Sequence, residues 1–117
     1  MATFTLTDHR TGLPIRSITG DSFSRAVETE AKAGRTLAFA DLTQVGQDGD
    51  PTDLNLQGAT LTGANLNGAI LIGADFRRAD LTNAKLRGTV QKNSQWAQAT
   101  LTGIDEAGAE TKERKDR

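Results

Sequence analysis

Cysteine and tyrosine are absent from this 117-residue chain, and it holds one His, one Trp, one Met and two Pro. Without cysteine there is neither a disulfide scaffold nor a thiolate metal site, and a single His leaves zinc without a ligand set. No run of roughly 18 apolar residues is present to span a bilayer. The N-terminus lacks the basic-then-apolar pattern of a secretory signal, so the expected location is the cytoplasm. Hydrophobic residues make up 36% and aromatics 4%. So few large apolar side chains would build a conventional globular core poorly, and the length allows one domain. Neither a G-x-G-x-x-G nor a P-loop pattern occurs, so no nucleotide cofactor is implied. His9 falls in a turn pattern and is read as solvated rather than as a base or a ligand. Asp48, Asp50 and Asp53 resemble a calcium-ligand run but lack the distal Glu of an EF-hand, and are read as turn acids. Catalytic, cofactor-binding and metal-binding residues are therefore all expected to be absent.

What the chain has instead is a period of five. From Leu54 it divides into LNLQG, ATLTG, ANLNG, AILIG, ADFRR, ADLTN, AKLRG, TVQKN, SQWAQ and ATLTG. The third position carries Leu56, Leu61, Leu66, Leu71, Phe76, Leu81, Leu86, Gln91, Trp96 and Leu101, and the first is mostly Ala. Helices return every 3.6 residues and strands every two, so neither explains this. Each block is one short extended piece and one corner. First and third positions face the same way, inward, and the closing Gly supplies a permissive bend. Repeating the bend coils the chain into a solenoid around a narrow Ala/Leu column.

The pattern A(D/N)LxG resembles the pentapeptide-repeat family. That resemblance implies a mainly β, right-handed quadrilateral β-helix with four blocks, hence twenty residues, per coil. The implied interior columns are Leu56–Phe76–Trp96, Leu61–Leu81–Leu101, Leu66–Leu86 and Leu71–Gln91. Gln91 is polar at an inward place, and the block TVQKN is expected to slip register and bulge outward rather than bury an amide.

Upstream, one more block (Ala40–Gln44) precedes a turn-rich stretch. Leu42 to Leu56 is fourteen residues, which breaks the period of five, so a loop is placed at 45–53. Residues 3–7 alternate Thr with Phe4 and Leu6, which predicts a strand, and Leu13–Ile18 the strand returning from it. Asp21 or Ser22 caps a predicted helix with apolar Phe23, Ala26, Val27 and Ala31, a Glu28/Lys32 pair, and Gly34 as its stop. The expected organisation is a hairpin–helix cap over 1–34, a β-helix over 35–103, and a charged tail over 104–117. That tail is read as frayed or disordered, or else as covering the last coil or joining two copies. The order of hairpin, helix and ADL blocks also resembles small pentapeptide-repeat proteins of phages and mobile elements.

The net charge of −1 is divided: residues 1–53 carry −3, residues 54–103 carry +3, and residues 104–117 carry −1. Some proteins of the resembled family imitate the shape and acidity of duplex DNA and block gyrase, and small phage proteins include anti-CRISPR inhibitors. The resemblance thus implies a non-catalytic inhibitor that binds a host protein complex of the CRISPR-effector or topoisomerase class. A DNA mimic needs an acidic body, and a +3 repeat segment opposes that, so inhibition through protein contacts is favoured. The alternatives are a structural or assembly module, including a homodimer, and a weak direct nucleic-acid binder.

Candidate contact residues are Ile70, Ile72 and Val90 as an apolar pair of coils. The acids Asp48, Asp50, Asp53, Asp75 and Asp80 join them, as does a modest basic area of Arg77, Arg78, Lys85 and Arg87. The hairpin or the helix is the competing cover for the Ile70/Ile72 face. Thr62, Thr82 and Thr102 form a structural ladder on another face.

Overall fold

The computed structural model describes residues 1–47 and 53–115. Strand β1 (Ala2–Thr7) pairs antiparallel with β2 (Pro14–Gly20), Phe4 opposite Ile18 and Thr5 opposite Ser17, with an irregularity at Leu6/Thr7. Helix α1 spans Phe23–Lys32. Ser22 caps its start, the hydroxyl accepting from the Arg25 amide. Its end is a Schellman turn: the Arg35 amide donates to Glu30 O, the Gly34 amide to Ala31 O, and Gly34 takes a positive φ. Leu6, Ile18, Ala26 and Val27 are buried between hairpin and helix, and Phe4 meets Phe23 edge to face. Gly20 lets the two elements close, since a Cβ there would stand 2.6 Å from the Ala26 nitrogen.

From Asn55 onward the backbone forms four parallel ladders with a spacing of twenty. They run through Asn55–Asp75–Gln95–Lys115, Thr60–Asp80–Thr100, Asn65–Lys85–Asp105 and Ile70–Val90–Glu110. Each straight piece is too short to be a strand and gives one bridge per coil. In each bridge the second residue of a block uses both its backbone groups: Asp75 donates to Leu54 O and accepts from the Leu56 amide. The corner closes with a bond from the first residue of the next block to the third of the present one, as in Ala59 N–H to Leu56 O at 3.1 Å. The fifth residue then takes φ near +60 to +75° throughout, whether Gly58 (68°), Asn83 (60°) or Arg78 (62°).

The side chain at the second position explains its preference for Asp or Asn. It accepts the amide of the fourth residue, which the ladder leaves unpaired: Asn55 from Gln57, Asn65 from Asn67, Asp75 from Arg77 and Asp80 from Thr82, at 3.0 to 3.2 Å. Inside, the first-position Ala and third-position Leu residues are buried as the spacing predicts, with Ala99 and Leu101 partly so. Phe76 and Trp96 stack with ring centroids 4.3 Å apart and planes 17° apart.

Two expectations are corrected. Gln91 does not bulge outward: it is 0% exposed, Asn93 keeps the corner φ of 59°, and the Ile70–Val90 bridge holds the register. Its amide is satisfied inside, which removes the penalty that argued for a bulge. Nor does the coil stop at 103. Asp105, Glu110 and Lys115 each bridge to the coil before, so residues 104–115 are a further turn, held by the same backbone bonds despite their polar composition. The expected break in the period is present: the ladder step from Asp41 to Asn65 is twenty-four rather than twenty, so the insertion near the loop adds four residues to the first coil, and Leu37 and Leu42 keep inward places.

Candidate functional site

The candidate residues lie on the coil surface, and ladder geometry decides which of them meet. Ile70 and Val90 are adjacent rungs of one ladder and Ile72 lies beside them, all three half-buried. The flank of the insertion lies against this face: the Ile70 amide donates to Val45 O, and a Cβ on Gly46 would collide with the Ile70 carbonyl. The Asp53 amide donates to Ile72 O at 3.0 Å, bringing that acid beside the same face. Asp48 and Asp50 lie outside the described residues.

The basic set is less available than its sequence suggests. Arg77 makes a forked pair with Asp75 (Nε to Oδ1 3.0 Å, Nη2 to Oδ2 2.8 Å). Arg87 donates to Asp105 at 2.6 Å, and Arg78 to the Gln57 side chain at 2.8 Å. Lys85 is exposed on a ladder between Asn65 and Asp105. With the added turn, residues 53–115 hold eight bases and seven acids, a net of +1. Of these four bases, Arg77 and Arg87 are neutralised by carboxylates and Arg78 is held by a neutral amide, which leaves Lys85 as the exposed charge.

The pKa directions follow. Burial pushes the Asp75 carboxyl up, but the hydrogen bonds from Arg77 overcome it and the net shift is down. The Thr82 hydroxyl lowers Asp80, whose carboxylate also meets the Thr62 hydroxyl. Arg87 lowers Asp105. In the hairpin turn the Arg10 side chain lowers Asp8 to about 2. The Thr62/Thr82 part of the threonine ladder thus serves to hold Asp80, and Asp75 and Asp80 both build the coil while facing outward.

Two groups escaped the sequence reading. His9 is not a solvated turn residue: Nε2 donates to Gly63 O at 2.7 Å and its amide to Phe39 O at 3.0 Å. Beside it Arg10 stacks on the Phe39 ring, 3.5 Å from the centroid, so the hairpin turn is clamped to the first and second coils. The second group is polar and internal. Arg114 Nη1 donates to Gln91 Oε1 at 2.7 Å and to Glu106 at 2.9 Å. Gln91 Nε2 donates to the Thr89 hydroxyl, Ser94 to Gln91 O, and Trp96 Nε1 to the Ser94 hydroxyl. Arg114 also lies 5.7 Å from the Trp96 ring centroid. A visible signal existed: Thr89 and Ser94 replace Ala at consecutive first positions on either side of Gln91.

Among the described residues no three His, Cys, Asp or Glu side chains gather as a metal site, and no pocket indents the surface. No helix there is long and apolar enough to cross a membrane.

Residues 52–90 match a family model described as pentapeptide repeats, in eight copies. Among solved structures, the chain is similar to a pentapeptide repeat protein from the cyanobacterium Cyanothece 51142, with 32% identity over 56% of this chain and 46% of that one, and a TM-score of 0.31. It is similar to a pentapeptide repeat protein from the Arabidopsis thaliana thylakoid lumen, with 25% identity over 68% of this chain and 64% of that one, and a TM-score of 0.31. A third, from Nostoc Pcc 7120, is 26% identical over 79% of this chain and 94% of that one, with a TM-score of 0.25. The chain therefore spans less than half of the Cyanothece protein and under two thirds of the Arabidopsis one. No curated protein matches it.

Proposed function

The chain is a pentapeptide-repeat protein, and from that premise we propose that it is a non-catalytic binding module that acts through protein contacts. Its target is a host nucleic-acid-handling complex, which it obstructs in the cytoplasm, as phage-borne inhibitors do. The coil is taken as right-handed, with hairpin and helix as its cap.

One observation carries this reading. Three of the coil's outward guanidinium groups are engaged within it: Arg77 pairs with Asp75, Arg87 with Asp105, and Arg78 donates to the Gln57 side chain. A phosphate-binding surface needs guanidinium groups free to turn toward the ligand, and a DNA mimic needs unneutralised carboxylates in rows. Neither is favoured by these internal contacts. A rigid surface of alternating charge around a half-buried Ile70/Val90 pair suits a protein partner, because little side-chain freedom remains to be lost on binding. Phe76 and Trp96 are inside and the half-buried Phe39 ring is taken by Arg10, which also weighs against stacking of single-stranded nucleic acid on the coil.

The test is affinity capture from bacterial lysate with the wild-type chain and with Val90→Asp. The reading expects a nucleic-acid-handling complex on the wild type and its loss on the variant. Capture of no such complex, together with a salt-dependent shift of bare DNA, would replace it with direct nucleic-acid binding.

A further inference from the structure

We propose that the free edge of β1 pairs antiparallel with β1 of a second copy of this chain, joining two hairpins into one four-stranded sheet. This rests on the hairpin and is independent of the reading above.

In the two-stranded sheet β1 has β2 on one side only. Among the described residues, Ala2 to Leu6 make no backbone hydrogen bond outside that pair, whereas the Thr7 carbonyl is taken by the Asp41 amide. The open edge is thus five residues long and ends where the hairpin meets the coil. Strand edges left open are normally guarded by a charge, a Pro or a distortion. β2 carries such guards in Pro14 and Arg16, and α1 packs against it. β1, with the sequence ATFTLT, carries no charge, no Pro and no Gly.

The same five residues specify the occupant. Ala2-Thr3-Phe4-Thr5-Leu6 is nearly symmetric about Phe4. A two-fold axis at Phe4 sets Thr3 opposite Thr5 of the second copy, Ala2 opposite Leu6, and Phe4 beside its counterpart. Even positions then meet even ones, so each side chain keeps its face and the pairing is isologous. Thr3 and Thr5 stay on the exposed face with Ser17 and Thr19, while Phe4, only half-buried over Phe23, gains a second apolar neighbour. An unrelated strand would not reproduce this matching. Five residues of pairing give a weak, concentration-dependent dimer.

The experiment is sedimentation velocity over a concentration series. Wild type should move from monomer toward dimer. The double variant Thr3→Lys/Thr5→Lys sets Lys against Lys in both cross-strand pairs and should weaken association by about tenfold or more. Thr3→Lys/Thr5→Glu sets Lys against Glu in the same register and should restore it. Both positions are exposed, and unchanged Trp96 emission checks that each variant is folded. A wild type that stays monomeric throughout overturns the proposal. So does a Lys/Lys variant that associates like wild type, or a Lys/Glu variant that fails to recover. If wild type stays monomeric but captures a foreign protein through this edge, the strand belongs to another partner and self-pairing is wrong.

Discussion

Arg114, at a first position of the fourth coil, reaches into the solenoid and donates to the side-chain carbonyl of Gln91 at 2.7 Å. Gln91 of the fourth column and Glu106, one coil below Leu86 in the third, thus share a polar plug with Thr89 and Ser94, where the earlier coils hold hydrocarbon. Arg114→Ala takes a donor from a fully buried acceptor, and stability should fall by about 1–3 kcal/mol. Trp96 should report the change, being 1% exposed and next to the guanidinium. Its emission should shift to the red before global unfolding. The apolar triple Gln91→Leu/Glu106→Leu/Arg114→Leu should lie near wild type or above it, because a well-packed apolar replacement spares the desolvation of the ionic group. Denaturant melts of the variants give the answer, and a triple as unstable as Arg114→Ala would assign the plug a net stabilising role.

Acid should destabilise the fold within a defined window. Asp8, Asp75, Asp80 and Asp105 all have carboxyl groups shifted down in the folded chain. A group depressed on folding contributes stability that is present above its unfolded pKa and lost as pH falls through the folded one. For Asp8 those limits are 3.8 and about 2. Thermal stability should therefore hold from neutral pH down to about 4 and then decline toward about 2. Asp75→Asn should flatten part of that decline while keeping the acceptor for the Arg77 amide. High salt should shrink the effect, since the pairs with Arg10, Arg77 and Arg87 are at the surface.

The corner glycines should divide into two classes. All take positive φ, where an Ala pays about 1–2 kcal/mol. At Gly58, Gly68 and Gly88 an added methyl group would meet nothing within 4 Å, so Ala there should lose only that amount. At Gly63 the new methyl would overlap the Phe39 ring, on whose face Arg10 stacks. Gly63→Ala should lose about 1–3 kcal/mol beyond the Gly58→Ala value. Parallel denaturant melts of the two variants check the difference, and equal losses would mean that the Phe39 ring swings aside freely.

The repeat was legible because its signal is redundant. Ala59, Leu61 and Gly63 each mark a block alone, and the ladders follow once twenty residues make a coil. Residues 104–115 were not legible as coil. Their inward places hold Ile104, Glu106, Ala109, Thr111 and Arg114, of which one is a large apolar side chain. Composition therefore imitates a tail, although Asp105 and Glu110 keep the second position and Gly103 and Gly108 the corner. The clamp of His9 on Gly63 left no local trace, because it joins residues 54 apart in the chain. Of the candidate site, the Ile70/Val90 adjacency follows from the period alone. The neutralisation of Arg87 required knowing that Asp105 stands one coil below Lys85.

Helix α1 closes the N-terminal edge of the coil by supplying acceptors where an earlier coil would supply carbonyls. Within the coil, the Asp75 amide donates to Leu54 O and the Gln95 amide to Ala74 O. The corresponding amide one turn up, on Asn55, donates instead to Glu28 Oε2 at 2.7 Å. Nearby, the Gly46 amide donates to the Ser24 hydroxyl at 2.8 Å. Glu28 is only 8% exposed, and Arg25 balances its other oxygen at 2.8 Å. Lys32, the partner suggested by helical spacing, stands farther off at 3.9 Å. Glu28→Ala should leave the Asn55 amide without its acceptor and lower stability by about 1–3 kcal/mol. Glu28→Gln keeps an oxygen in place and should lose about 1 kcal/mol or less, the share due to the charge. Hydrogen exchange separates this from a general loosening of the helix. The Asn55 amide should exchange faster in Glu28→Ala than in Glu28→Gln, while Phe76 and Leu81, bonded deeper in the coil, stay protected in both. Equal exchange at Asn55 in the two variants would mean that the carboxylate is not what ends the ladder.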